Sequence, residues 1–158
     1  MHDSSRLHPN YNSTNYNNDI ALFKLQTRAE FSSTVGTICL PNEFVANVGK
    51  RAVVIGWGKI SIQGIFPSKL QETFVEIKNN SECSFYNLQK TQLCAGISVG
   101  DIKDSCQGDS GSPMFINDNG RYYLAGIVSY GRSKCDGFGV YTNVFEYLSW
   151  IKKTMKYN

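Results

Sequence analysis

Histidine is scarce in this chain, and long apolar runs are absent from it. The two histidines, His2 and His8, both lie near the start of the 158 residues. No apolar run approaches the roughly 20 residues that a membrane-spanning helix needs. The first residues also lack the apolar stretch of a signal peptide. The sequence therefore predicts no membrane partner.

The charge balance is mild and the composition is that of a folded protein. The formal net charge is +3, without a block of basic residues, so no nucleic-acid partner is predicted. Hydrophobic residues make up 41% and charged residues 18% of the chain, which is typical of a globular domain. The length suffices for one domain with a real core.

Cysteine is frequent for a chain of this size. The five cysteines are Cys39, Cys83, Cys94, Cys106 and Cys135. Their spacing does not fit a zinc site, so a disulfide framework formed in an oxidising compartment is the better interpretation. Because five is odd, one cysteine either pairs outside the chain or remains a free thiol. Sequons at Asn12 and Asn79 are consistent with secretion, so we expect a secreted protein whose beginning is missing.

Short apolar runs separated by turn residues predict an all-β barrel or sandwich. The predicted strands cover residues 20–25, 52–55, 70–77, 92–95, 114–116, 122–129 and 139–142. A hairpin turn is expected over residues 117–120. A short helix is predicted to start at Ser81, as its capping residue, and to carry Cys83. The helical spacing of Leu148, Ile151 and Met155 predicts a terminal helix that docks one apolar face.

The segment from Asp104 to Pro113 places Ser110 between glycines and behind an acidic residue. A serine hydroxyl becomes a nucleophile only when a base removes its proton, and amide hydrolysis also needs donors for the developing oxyanion. The alternative is an ordinary surface turn rich in Gly, Asp and Ser. The other nucleophile motif, Gly-x-Ser-x-Gly, fails because Ser112 replaces its last glycine and a strand follows.

Several segments, taken in order, resemble the chymotrypsin/trypsin family of serine proteases. They are Asn18-Asp19-Ile20-Ala21-Leu22, Ile38-Cys39-Leu40-Pro41, Gly56-Trp57-Gly58, the Ser110 segment, Gly126-Ile127-Val128-Ser129-Tyr130-Gly131 and Gly139-Val140-Tyr141-Thr142. The resemblance implies an all-β, chymotrypsin-like double β-barrel with a complete second barrel, only the end of the first, and a C-terminal helix. Residues 1–44 would form the tail of the first barrel and the crossover, 45–145 the second barrel, and 146–158 the helix of one truncated peptidase domain.

The same resemblance implies the catalytic roles. Ser110 would be the nucleophile, Asp19 the aspartate of the triad, and the N–H groups of Gly108 and Ser110 the oxyanion hole. The family's Ala-Ala-His-Cys motif, which carries the catalytic histidine, is absent from the sequence. Neither His2 nor His8 is expected to act as the base, so the chain alone is expected to be inactive.

Substrate recognition is implied by a second set of residues. Asp104 would lie at the base of a pocket for Lys or Arg, with Gly131 and Gly139 as walls that leave room for a long side chain. Ser129, Tyr130 and Gly131 would bind the substrate backbone. The alternative for Asp104 is a solvated surface acid.

In the family, the acid at the position of Asp109 pairs with an amino terminus that propeptide cleavage releases. This chain lacks the segment that would supply the amine, so a buried carboxylate without its partner and a zymogen-like loop are expected. The resemblance also implies the disulfides Cys83–Cys94 and Cys106–Cys135. Cys39 would then be unpaired, with its partner in the missing N-terminal part.

The predicted function is that of a secreted trypsin-like serine endopeptidase. Its partners would be polypeptides cleaved after Lys or Arg and, in addition, protein inhibitors; no cofactor and no metal are predicted. The alternative is a non-catalytic protease homologue that binds or regulates a partner. The presence of Ser110, Asp19 and Asp104 argues against it, because a binding module does not need all three.

Overall fold

The computed structural model describes residues 2–60, 64–97, 105–131 and 137–157. The strands within these ranges are β1 (His2–Leu7), β2 (Ala21–Leu25), β3 (Arg51–Gly56), β4 (Gln71–Lys78), β5 (Gln92–Gly96), β6 (Pro113–Asp118), β7 (Arg121–Gly131) and β8 (Phe138–Asn143). Two 3₁₀ helices, Asn80–Tyr86 and Val144–Tyr147, and one α-helix, α1 (Leu148–Lys156), complete the order. Among the described residues, no helix is long and apolar enough to span a membrane.

Six antiparallel strands close into a barrel in the order β3-β4-β5-β8-β7-β6, with β6 pairing back onto β3. Alternate residues of β3 point inward, so that Ala52 and Val54 are buried while Arg51 is exposed. The β6–β7 hairpin turns at Asn119 and Gly120, both with positive φ, as a two-residue loop requires. The predicted strands of this barrel and its hairpin turn are thereby confirmed.

The two-stranded sheet of β1 and β2 stands outside the barrel. Strand β1 was not predicted from the sequence, because Leu7 is its only large apolar residue and it shows no alternation. It pairs antiparallel with β2, with Leu7 opposite Ala21. Just before β2, Ile20 is buried in a second apolar cluster with Val144, Tyr147 and Ile151, which joins this part of the chain to the C-terminal helices.

The first 3₁₀ helix begins at Asn80, with Asn79 rather than Ser81 as its N-cap. The Asn79 side chain accepts from the Ser81 N–H at 3.1 Å, and Glu82 accepts from the Asn79 N–H at 3.2 Å. Both Asn and Ser can cap a helix, and this reciprocal pair decides for Asn79. The predicted cap at Ser81 is therefore wrong, whereas the helix itself and its position before β5 are confirmed.

Helix α1 follows the second 3₁₀ helix directly and docks by one face. Ile151 is 4% exposed and packs in the second apolar cluster with Ile20, Val144 and Tyr147. Met155 is 67% exposed, so the prediction that it shares the docked face is wrong. The helix ends at Lys156, one residue after Met155, so its last turn extends beyond the surface that Ile151 covers.

Candidate active site

The serine loop consists of two consecutive backbone turns. The Asp109 N–H donates to the Cys106 carbonyl at 3.0 Å, and the Ser112 N–H donates to the Asp109 carbonyl at 2.8 Å. Gly108 and Gly111 both have positive φ, at 101° and 86°, which glycine adopts without strain. The loop leaves the side chain of Ser110 exposed at its tip.

Two N–H groups of the serine loop, those of Gly108 and Ser110, are the proposed oxyanion donors. In the described part of the chain, neither the Gly108 N–H nor the Ser110 N–H donates to another protein group. Both donors are therefore available to a negatively charged oxygen placed beside the serine. A side chain at Gly108 would meet the ring of Phe66, with its first carbon 2.8 Å from that ring.

Strand β7 holds this loop from behind. The Gly111 N–H donates to the Val128 carbonyl at 2.8 Å, and the Val128 N–H donates to the Ser112 carbonyl at 2.9 Å. These two bonds fix the loop on the barrel on the downstream side of Ser110. The position of the serine thus depends on the backbone of one β7 residue.

The side chain of Asp109 points inward and is buried. Its carboxylate accepts from the Gly58 N–H at 2.7 Å and from the Cys106 N–H at 2.9 Å. A side chain at Gly56 or Gly58 would overlap this carboxylate. Two backbone donors therefore satisfy part of its hydrogen-bonding capacity, while the pairing of Asp109 with a released amino terminus stays a prediction.

A cavity of about 370 Å³ lies next to the Asp109 carboxylate. Its lining combines apolar and polar groups, namely Val54, Gly58, Ile60, Glu72, Ser105 and Asp109. Across the described ranges, no Lys or Arg forms an ion pair with Asp109. Among the described residues, the Asp109 carboxylate accepts hydrogen bonds from backbone N–H groups, and Lys59 lines the same cavity without an ion pair to it.

Asp19 lies between the polar loop of residues 9–18 and strand β2. Its carboxylate accepts from the Ser129 hydroxyl at 2.6 Å, and its carbonyl accepts from the Thr142 hydroxyl at 2.7 Å. Thr142 is 2% exposed and stands opposite Ile127 on the neighbouring strand. Asp19 is therefore fixed by the second barrel, through both its side chain and its backbone.

Two further side chains, one just before β5 and one in the second 3₁₀ helix, bind the residues before Asp19. The Thr91 hydroxyl donates to the Asn17 side chain at 2.7 Å, and the Tyr147 hydroxyl donates to the Asn18 side chain at 3.0 Å. Asn18 has a φ of 58°, in the left-handed region that asparagine tolerates better than most residues. The loop thus reaches Asp19 in a backbone conformation that these partners stabilise.

These supporting residues were not identified from the sequence. Ser129 was assigned there only to the substrate backbone, and Thr142 and Tyr147 were given no role. The signal that could have found them is a polar side chain at a position where the strand pattern requires burial. Ser129 is 8% and Thr142 is 2% exposed, so each needs a buried hydrogen-bond partner.

His8 is engaged at the C-terminal helix. Its ring lies 5.4 Å from that of Tyr147 and 5.1 Å from that of Trp150, and its Nδ1 accepts from the Asn10 N–H at 3.3 Å. Burial in this surrounding lowers the pKa of His8 below its usual 6.5. The contacts of the ring are those of a packed side chain.

The predicted pocket is described only in part. Gly131 and Gly139 are brought together as directly paired residues of β7 and β8. A side-chain carbon on Gly131 would stand 3.5 Å from the Cα atom of Gly139. Asp104, the predicted base of the pocket, lies outside the described residues.

The cysteines fall into two states. Cys83 and Cys94 form a disulfide with Cα atoms 5.8 Å apart, which confirms that predicted pair. Cys106 is disulfide-bonded as well, and its expected partner Cys135 lies outside the described residues. Cys39 is an exposed free thiol.

Within the described ranges, no group of three or more His, Cys, Asp or Glu side chains could hold a metal ion.

The sequence and the fold are both similar to those of serine proteases. The family model named Trypsin matches residues 3–151. Transmembrane protease serine 11G of Rattus norvegicus is 39% identical over 159 residues, covering 95% of this chain and 38% of the rat protein. Trypsin-3 of Salmo salar is 43% identical over 158 residues, covering 96% of this chain and 64% of the salmon protein.

A solved structure extends the similarity to three dimensions. Neuropsin, a serine protease expressed in the limbic system of mouse brain, superimposes with a TM-score of 0.87 at 36% identity. The match covers 98% of this chain and 71% of the neuropsin chain. This chain spans less than two fifths of the rat relative and under three quarters of neuropsin. With a family model matched over most of its length and a shared fold, the chain belongs to the trypsin family of serine proteases.

Proposed function

We propose that this protein is a secreted trypsin-like serine endopeptidase that cleaves polypeptides after Lys or Arg through an acyl-enzyme. One observation carries the catalytic part of the proposal: two consecutive residues of β7 hold the two proposed catalytic residues. The Val128 backbone binds the loop of Ser110, and the Ser129 hydroxyl binds the carboxylate of Asp19. Both groups are thereby attached to the same part of one strand.

In the proposed reaction, Ser110 attacks the scissile carbonyl and the N–H groups of Gly108 and Ser110 stabilise the oxyanion. Asp19 orients the histidine that accepts the serine proton. The packing of His8 against Tyr147 and Trp150 argues against this residue as the base. We propose that the base is a histidine outside the 158 residues.

Asp109 provides a means of activation. We propose that an amino terminus released by propeptide cleavage enters the adjacent cavity and pairs with its carboxylate. This role is supported by the burial of Asp109 and by the adjacent cavity of about 370 Å³. It is also supported by the fact that no Lys or Arg of the described residues forms an ion pair with Asp109. The charge of the amine would complete the balance that the Gly58 and Cys106 N–H groups provide only in part.

Recognition of the substrate is assigned to three features. Asp104 would pair with the Lys or Arg side chain, while Gly131 and Gly139 leave the path to it open. The substrate would bind as an added strand along Ser129, Tyr130 and Gly131. The direct pairing of Gly131 with Gly139 supports the open path to Asp104. Protein inhibitors that present a Lys or Arg in an extended loop would bind the same surface.

Secretion is proposed from the covalent structure. The Cys83–Cys94 disulfide indicates an oxidising compartment, and the sequon residue Asn12 is exposed. The rat relative is named a transmembrane protease. Exposure on the outer face of a membrane is therefore the alternative that a fractionation of cells and medium would detect.

The test of this function uses the intact protease with the upstream sequence restored and the propeptide cleaved. Arginyl amide substrates should be turned over, and Ser110→Ala should abolish turnover. Asp104→Ser should lower kcat/KM for Arg and Lys substrates by tens- to thousands-fold, since the loss of one partner of a desolvated charge pair costs roughly 2–5 kcal/mol. Substrates with Phe or Tyr should change little.

Two outcomes would contradict the proposal. A wild-type preference for aromatic residues would show that Asp104 does not line the pocket. Tight binding to another protein, without any turnover by the intact protein, would instead favour the non-catalytic homologue. The 158-residue chain by itself should show no turnover, because removal of the base from the triad of the serine protease subtilisin costs about a million-fold in kcat.

A further inference from the structure

Gln92 is a buried polar residue at the start of β5. Gln92 is only 4% exposed, and its side-chain Oε1 accepts from the Gln89 N–H at 3.0 Å. A glutamine amide also carries two N–H donors, and these need acceptors when they are removed from water. The acceptors near the Gln92 amide nitrogen show which parts of the fold this side chain joins.

The Gln92 amide nitrogen faces two separate parts of the proposed site. It lies 3.4 Å from the Asn15 carbonyl and 3.5 Å from the Tyr16 carbonyl, both in the loop before Asp19. It also lies 3.4 Å from the hydroxyl of Tyr130 on β7. One amide group is therefore shared between the loop and the strand proposed to bind substrate.

Three tyrosine rings meet at this point. The ring of Tyr130 lies 4.9 Å from that of Tyr16 and 5.4 Å from that of Tyr86. Tyr130 belongs to the proposed substrate strand, Tyr16 to the loop and Tyr86 to the end of the first 3₁₀ helix. We call these three residues the tyrosine wall. Because its members come from three separate elements, their spacing depends on what joins those elements.

Gln92 contacts all three of these elements. Its backbone carbonyl accepts from the Asn80 side chain at 3.2 Å, which connects it to the first 3₁₀ helix. Its amide contacts the loop and Tyr130, as described. An apolar side chain of similar length would fill the same volume but would leave the loop carbonyls and the Tyr130 hydroxyl without this donor.

We propose that Gln92 is a positioning residue for extended substrates: its amide ties residues 15–16 to Tyr130 and thereby fixes the spacing of the tyrosine wall. The wall includes Tyr130 and stands beside its neighbours Ser129 and Gly131, so substrate residues upstream of the cleaved bond pack against it. This proposal rests on the proposed peptidase function. Loss of the amide weakens binding of long peptides and leaves the reaction at the cleaved bond unchanged.

The first test measures the loop without any enzymatic activity. Gln92→Met in the 158-residue chain removes the amide at nearly constant volume. Gln89→Met is the matched control, since Gln89 is exposed and its side-chain amide donates to the nearby Asn87 carbonyl at 3.3 Å. Hydrogen exchange of the Tyr11 and Asn12 amides, which donate to the His8 and Asn17 carbonyls, reports the order of the loop.

Gln92→Met should accelerate loop exchange roughly five- to tenfold, the effect of losing about one net hydrogen bond. Exchange of the Val128 amide in the barrel should not change, and Gln89→Met should affect neither. Unchanged loop exchange overturns the proposal, and so does an equal acceleration in loop and barrel, which would indicate a general loss of stability. If Gln92→Met does not fold, Tyr130→Phe removes only the hydroxyl partner and should produce a smaller acceleration of the same loop; no acceleration overturns the proposal.

The second test uses the intact protease and compares two substrates. For a peptide amide with four residues before the cleaved bond, Gln92→Met should raise KM and lower kcat/KM about three- to tenfold, the effect of losing about one net hydrogen bond. For a single-residue arginyl amide, both constants should remain unchanged. An equal loss for both substrates, or no loss for either, overturns the proposal. If the intact protein has no activity at all, the proposed function fails, whereas loop exchange still decides whether Gln92 positions the loop.

Discussion

The Ser129 hydroxyl donates a 2.6 Å hydrogen bond to the Asp19 carboxylate across 110 positions of sequence. The residue before it, Val128, binds the loop of Ser110 through its backbone. A displacement of β7 at this point would therefore move both groups together. Rigid attachment to one strand preserves the distance between two side chains better than attachment to two separate loops would.

Replacement of Thr142 by valine should lower the free energy of unfolding by about 1–2 kcal/mol. Valine has nearly the same shape, but it removes the hydroxyl that donates to the Asp19 carbonyl at 2.7 Å. Chemical denaturation of the variant and the parent chain measures the difference. Thr27→Val, at an exposed position, should change stability by much less. Equal effects at the two sites would show that the Asp19 contact contributes nothing specific.

Replacement of Gly58 by alanine should displace the Asp109 carboxylate, because the added methyl group would overlap it. Overpacking of this kind costs roughly 1–3 kcal/mol, measurable as a lower denaturation midpoint. Gly36→Ala is the control, since a side chain there would meet nothing within 4 Å. A Gly58→Ala chain as stable as the control would mean that Asp109 can leave its site without cost.

Thiol titration of the native, unreduced chain should detect a single reactive cysteine. Cys39 is exposed and free, so Cys39→Ser should abolish the reaction. Peptide mapping should recover the Cys83–Cys94 pair and, as predicted, Cys106–Cys135. Loss of the first bridge in a double alanine variant should lower stability by about 2–4 kcal/mol. Recovery of Cys39 in a bridged peptide would contradict the assignment.

Acid should weaken the native state partly through His8. Burial lowers the pKa of His8 below 6.5, so the unfolded chain binds a proton more readily than the folded one. The contribution of a neutral His8 is complete above pH 6.5 and is lost as the pH falls through 6.5 towards the lower folded pKa. Denaturation between about pH 8 and pH 5 should show a smaller decline for His8→Phe, which keeps an aromatic ring in place. A decline as large as in the parent would assign the effect to other groups; His2→Gln tests the second histidine.

Local patterns were sufficient to predict the six barrel strands. Each has apolar residues at strand spacing and turn residues at its ends, and Asn119-Gly120 defines one hairpin outright. Strand β1 escaped prediction because its pairing with β2, rather than its own sequence, makes it a strand. Met155 was assigned to the docked face because helical spacing shows which residues share a face, but not how far the packed surface extends.

Some residues of the candidate site can likewise be predicted from local sequence patterns, whereas others cannot. Catalytic roles for Ser110 and Asp19 are predicted from short motifs, because each residue lies in a contiguous segment with a distinctive composition. Gln92 and Thr142 could not be identified in this way, since their partners Asn15 and Asp19 lie 77 and 123 positions away. Hydrogen bonds over such separations leave no local pattern and appear only when the chain is folded.

The attachment of Asp19 to the second barrel also has a consequence for biosynthesis. A ribosome makes the Asp19 segment well before Ser129, Thr142 and Tyr147, which hold it and its neighbour Asn18. Until strand β8 and the second 3₁₀ helix emerge, none of these side chains can bind that segment. Contacts between such distant residues form late, because closing long loops is entropically costly. The Asp19 segment therefore cannot take up its final position until the residues that hold it, more than 100 positions further along the chain, have been synthesised.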